Sequence, residues 1–187
     1  MAAGDESFRY FVLGLLDREP MSGYDIKGLL ERLNGLIGSS SYGNIYPTLH
    51  ALLEEGWVSV DVVTHPDRPP KKLYTLEQEG RDELLEWLEG PIPENLSKKA
   101  FVMRLILAQD FAGSGLAAHL RQRRAHVVAH LDALRELGGE PEPQDAEWPL
   151  ALDYGLAVAD AELAWLDHAL DAASAESFPG ERVEQRV

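Results

Sequence analysis

The chain has no cysteine. Disulfides, thiolate nucleophiles and thiolate metal ligands are therefore excluded, and a reducing compartment is compatible with the composition. No stretch of about 18 uninterrupted apolar residues exists, so no membrane-spanning helix is expected. The opening residues MAAGDESFRY carry acid where a secretory leader would carry base, which makes a signal peptide unexpected and the cytoplasm the expected compartment. Base is scarce throughout: 17 Lys and Arg stand against 32 Asp and Glu, a net charge of -15 over 187 residues. As a whole-molecule sum this argues against nucleic acid, because such binding rests on neutralising phosphates. Acid, however, is locally missing too. Between Ile37 and Leu53 there is no Asp, Glu, Lys or Arg, and between Asp61 and Tyr74 the bases Arg68, Lys71 and Lys72 outnumber the acids Asp61 and Asp67.

What is present supports a packed core: 45% of residues are hydrophobic and 26% charged, which is globular usage rather than disorder. The length suits one domain, or a small domain with a helical extension. Phe8, Phe11, Val12, Leu15 and Leu16 have helical spacing, and Pro20 ends that helix. Ser22 with Asp25 forms a capping box for a second helix carrying Tyr24, Ile26, Leu29, Leu30 and Leu33, expected to end near Asn34-Gly35. A third helix opens with an expected N-cap at Ser41, buries Ile45, Leu49, Leu52 and Leu53, and stops at Gly56. Pro47 lies a turn inside it, so its regular part is expected to start late. VSVDVV, from Val58, alternates as a strand does, THPDRPP makes a turn, and KKLYTL returns. Thr75 and Gln78 suggest a second capping box before a helix ending at Leu88. Helix, helix, helix, strand, turn, strand, helix is the order of a winged helix-turn-helix.

Beyond Gly90-Pro91-Ile92-Pro93 the pattern becomes helical. Ser97 caps KKAFVMRLILAQDF, a second helix runs from about residue 115 to 137, and a third from about 148 to 172. In the last, Leu152, Leu156, Ala159, Leu163, Leu166 and Leu170 step by four and three, a seam that packs on another helix. The expected layout is thus mainly α (α+β): a winged helix-turn-helix over 1–90, a helical dimerisation domain over 91–173, and a flexible tail over 174–187. Leu152, Leu156, Leu163, Leu166 and Leu170 are the expected partner contacts.

The uncharged front of the third helix fits base edges. An α-helix enters the major groove, and in helix-turn-helix docking the N-terminal end of the second helix of the motif meets the bases. Asn44 can donate to and accept from an adenine edge. Tyr42 and Tyr46 can reach phosphate or a thymine methyl, and His50 a base or phosphate. The amides of Ser41 to Asn44 suit a phosphate at the positive helix end, and Gly43 permits close approach. Arg68 at the wing tip, with Lys71 and Lys72 at its base, supplies cations. The same uncharged front could instead face a protein, so a protein- or ligand-sensing interaction module without DNA binding remains the alternative.

The stretch SYGNIYPTLHALLEEGWV resembles the signature of PadR-type transcriptional regulators, with Ile45-Tyr46-Pro47 its sharpest part. LGLLDREPMSGYDI and KKLYTLEQEGRDEL are similar to the same family's segments on either side, so the likeness covers residues 8 to 90. FVMRLILA and LDYGLAVADAELAWL resemble the longer C-terminal helical domain of one branch. The resemblance implies a homodimer on double-stranded operator DNA, usually a repressor and often released by a small-molecule effector, with no membrane and no cofactor. It implies that Tyr42, Asn44, Tyr46, Pro47 and His50 read DNA, that Arg68, Lys71 and Lys72 act from the wing, and that Ser22 and Tyr24 touch phosphate. Many relatives carry Lys or Arg where this chain has His50, so affinity is expected to be modest.

Rival chemistry is poorly supported. GSSSYGN, from Gly38, lacks both the lysine and the hydroxyl of a phosphate loop, and no hydrolase motif places an Asp/His pair for any serine. His119, His126 and His130 share a helix face, but Arg123 projects from the same face, so no metal is expected. Trp148, Tyr154 and Trp165 could line an effector pocket or serve as core or dimer contacts, aromatics being common in each. DELLEWLE reads as a solvated helix face.

Overall fold

The computed structural model describes residues 3–37, 42–65, 68–108, 115–139 and 148–174. The order is α1 (Ala3–Arg18), α2 (Gly23–Arg32), a short α3 (Asn34–Ile37), a 3-10 turn (Tyr42–Asn44), α4 (Ile45–Glu54), β1 (Val58–His65), β2 (Arg68–Leu76), α5 (Gln78–Glu89), α6 (Lys98–Ala108), α7 (Leu116–Gly139) and α8 (Pro149–Ser174). The fold is therefore mostly helical with one two-stranded antiparallel sheet, a winged helix-turn-helix followed by C-terminal helices.

Local chemistry explains most boundaries. Ser22 caps α2 as its sequence suggests: its hydroxyl accepts from the Asp25 amide, and the Asp25 carboxylate accepts from the Ser22 amide. α4 ends through Gly56, whose φ of 78° is open to glycine. The Gly56 amide there donates to the Leu53 carbonyl and the Trp57 amide to that of Leu52, a Schellman closure. Ser97 accepts from the Ala100 amide and so caps α6.

Three local expectations need correction. α2 stops at Arg32, and a separate turn, α3, follows it because the Leu36 and Ile37 amides both donate back to Leu33. Thr75 does not box α5: it is paired with Ser59 in the sheet, and Glu77 is the N-cap, without a side-chain hydrogen bond. Gln78 instead donates to Asp82 at 2.8 Å. The wing is longer than its hydrophobic alternation suggests, since β2 starts at Arg68 and includes Pro69 and Pro70. Pairing slips between Val63 and His65, opposite those prolines. A proline has no amide to donate, so a ladder that includes one becomes irregular there.

The chain divides into two compact units, one of Met1–Gly90 with Asn95–Ser114 and the other of Pro91–Glu94 with Gly115–Val187. α6 packs in the first of these units. Met103 and Leu107 join Phe11, Leu15, Ile26, Leu30, Leu49, Leu52, Leu84 and Leu88 in one buried cluster. Arg104 of α6, itself buried, donates to the carbonyls of Trp87, Leu88 and Gly90 at the end of α5 and lies 4.3 Å over the Trp87 ring. Burial pushes the guanidinium pKa down to about 10.

In the second unit α7 and α8 run antiparallel. Arg123 pairs with Glu162 at 2.7 Å and Arg135 with Asp160 at 3.5 Å, while Leu152 lies over Gly138 and Leu134 over Gly155. Among the described residues no helix is long and apolar enough to cross a membrane.

Candidate nucleic-acid interface

α4 is held by one face and leaves the other open. Ile45, Thr48, Leu49 and Leu52 are buried, whereas Gly43, Asn44, Tyr46, Pro47 and His50 are exposed. His50 stands four residues from Tyr46 and three from Pro47, so the three share one side of the helix. The regular helix does start late, with the 3-10 turn ahead of it. Its N-cap is Asn44, whose side chain makes no capping hydrogen bond. Ser41 and the Tyr42 side chain lie outside the described residues, as do the turn at 66–67, the Arg68 side chain and the tail beyond 174.

The neighbouring elements converge on this front. Met21, just before α2, forms a bridge to Tyr74 of β2, amide to carbonyl in both directions at 3.0 and 2.9 Å. Lys71 and Lys72, also on β2, are exposed, and Lys71 Nζ lies 2.7 Å from Asp25 Oδ2. Burial alone would raise the Asp25 carboxyl; the Lys71 ammonium and the amide and hydroxyl of Ser22 together outweigh it and hold the pKa below the usual carboxylate range. Tyr24 is 76% exposed at the front of α2.

Ser22 is 5% exposed, and its hydroxyl donates to Asp25 and accepts from the Asp25 amide, so its visible part in the fold is to cap α2.

The leucine seam of α8 lies partly against α7 of the same chain: Leu166 is fully buried and Ala159 nearly so, while Leu152, Leu156, Leu163 and Leu170 are half-buried. The aromatics Trp148, Tyr154 and Trp165 are exposed rather than core. The sequence could have pointed to a second, outward seam. Leu150, Tyr154, Ala157, Ala161, Trp165 and His168 step by four, three, four, four and three, and all are exposed and uncharged at neutral histidine. On α7, His119 is buried, His130 is exposed, and Arg123 is engaged by Glu162. No group of three or more His, Asp or Glu among the described residues is arranged to hold a metal.

A helix-turn-helix pair with an adjoining β-wing and an uncharged outer side on its second helix defines a winged-helix DNA-binding protein. The model of the transcriptional regulator PadR-like family matches residues 12–86, and that of the virulence activator alpha C-terminal region matches 97–174. The negative transcriptional regulator PadR of Bacillus subtilis is 30% identical over 153 residues, covering 79% of this chain and 82% of its own length. A probable transcriptional regulator of Mycobacterium tuberculosis is 25% identical over 178 residues, covering 86% and 94%. Of solved structures, Bacillus subtilis PadR in complex with operator DNA is 27% identical with a TM-score of 0.43, over 88% of this chain and 96% of that one. The same protein with p-coumaric acid is 26% identical with a TM-score of 0.42, over 91% and 97%. The chain belongs to the PadR-like family of transcriptional regulators, an assignment that rests on the sequence match. That is a family of regulators, not a class of enzymes.

Proposed function

We propose that this regulator is a cytoplasmic homodimer that binds a near-palindromic operator and represses transcription, with a small molecule releasing it. The observation that carries the reading is the exposed side of α4. Asn44, Tyr46, Pro47 and His50 stand there without an Asp, Glu, Lys or Arg among them, and the wing adds the exposed Lys71 and Lys72. A face without carboxylates is what the anionic backbone of DNA tolerates, and amide, phenol and imidazole groups are what base edges and phosphates accept. Tyr24 and Arg68 complete the proposed contact set at its edges, with Ser41, Tyr42 and Gly43 at the front of the reading helix. Repression is supported by the 30% identity to a negative regulator.

The homodimer is proposed to form through the outward seam of α8, Leu150 to His168, because its side chains are exposed while Leu166 of the leucine seam is buried. Two reading helices about one DNA turn apart would then face a palindrome. The test is a mobility-shift titration on the DNA upstream of the protein's own gene at several salt concentrations. A DNA regulator gives log affinity falling steeply with log salt. No shift at any salt would favour the second reading, an interaction module, whose support is the net charge of -15.

A further inference from the structure

α2 begins at Gly23, which is buried. A Cβ placed on that residue would lie 2.8 Å from Cε1, 3.0 Å from Cζ and 3.2 Å from Oη of Tyr46. The tip of the Tyr46 phenol therefore rests directly on bare backbone at the start of α2, while 54% of the residue remains exposed. The backbone beneath it is anchored from both sides. Met21 is bridged to Tyr74, and Ser22 is closed onto Asp25, which in turn holds Lys71. Tyr46 is also near Tyr74, whose phenol pKa is raised by burial first and by Tyr46 next. The ring thus sits where α2, the wing and α4 meet, and the floor under it cannot easily withdraw.

We infer that Gly23 is a positioning residue of the DNA-reading surface. By having no side chain it seats the Tyr46 phenol, and so fixes where that hydroxyl meets the DNA. The inference rests on the reading that α4 docks on DNA. Alanine at position 23 obliges the ring to turn away, because the anchored backbone leaves the ring as the part able to move. The glycine is not needed for backbone conformation: the positive-φ glycines among the described residues are Gly56 and Gly115. Alanine is also the better helix former.

The test is a double-mutant cycle of Gly23→Ala and Tyr46→Ala. Binding is measured by fluorescence anisotropy on the duplex that wild-type protein selects from a random pool, and on an unrelated duplex of equal length. Gly23→Ala should weaken the selected duplex by about tenfold and the unrelated one by less than about twofold, with an unchanged melting temperature. In the Tyr46→Ala background, where a Cβ has room, the same change should cost less than about twofold. A role in packing alone would lower the melting temperature without separating the two duplexes. Binding equal to wild type, or an additive cycle, overturns the inference while leaving the regulator reading intact. A wild-type protein that selects no duplex overturns both. Should Gly23→Ala fail to fold, the contact is read in wild-type protein by the nuclear Overhauser effect between the Gly23 α-protons and the Tyr46 ring, and its absence also overturns the inference.

Discussion

Lys71 Nζ and Asp25 Oδ2 lie 2.7 Å apart and join the wing to the front of α2. The pair is partly exposed, so it adds little to stability. Its larger effect is on charge: a lysine proposed to meet phosphate already has a carboxylate partner. Asp25→Asn should therefore tighten binding to any duplex and steepen the log affinity against log salt slope by about one unit. Anisotropy titrations at four salt concentrations measure this.

The same carboxyl has an acid signature. Its folded pKa is lowered, so its contribution to stability is full above the unfolded value of about 3.9 and is lost as pH falls through the folded value below it. Melting temperatures of wild type and Asp25→Asn should differ most above about pH 4 and converge toward pH 2. A difference that grows with acid would contradict the sign.

Asn44 and His50 should separate specificity from affinity. Asn44→Ala is expected to cost about 1–3 kcal/mol on the operator and little on unrelated DNA, as loss of a base contact does. His50→Lys should tighten both duplexes together, since a fixed cation there adds a phosphate contact.

The two seams of α8 predict opposite phenotypes. Leu166, fully buried against α7, should lose about 2–5 kcal/mol on Leu166→Ala in urea unfolding. Trp165→Glu, on the exposed seam, should leave the melting temperature of the chain nearly unchanged yet yield monomers in sedimentation velocity, with weaker operator binding. Dimers that persist in Trp165→Glu would return the partner contact to another surface.

The sequence was most informative where chemistry is local. The Ser22–Asp25 box, the Gly56 stop and the outward set Asn44, Tyr46 and His50 each follow from groups within a turn of one another. It was least informative where a pattern has more than one way of being satisfied. Thr75 and Gln78 have the spacing of a cap, but Thr75 is committed to a ladder with Ser59. A four-three leucine seam says that a helix is covered, not whose helix covers it, and here α7 covers part of it. α6 packs with the winged unit through Met103 and Leu107 and through Arg104, which reaches carbonyls and an indole at the end of α5. A carbonyl has no residue signature, so nothing in FVMRLILA marks that arginine as an anchor. Gly23 was equally silent: the value of a missing side chain shows only when the neighbour resting on it is known.

Arg104 has a practical consequence for anyone wishing to study the DNA-binding half alone. Scissors placed after residue 90, where the prolines invite them, would strip three carbonyls of their donor and bare one side of the Trp87 indole. Such a fragment should be fragile for reasons unrelated to DNA. A minimal version of this half has to keep α6, even though Pro91–Glu94, which precedes it in the chain, belongs with the second unit.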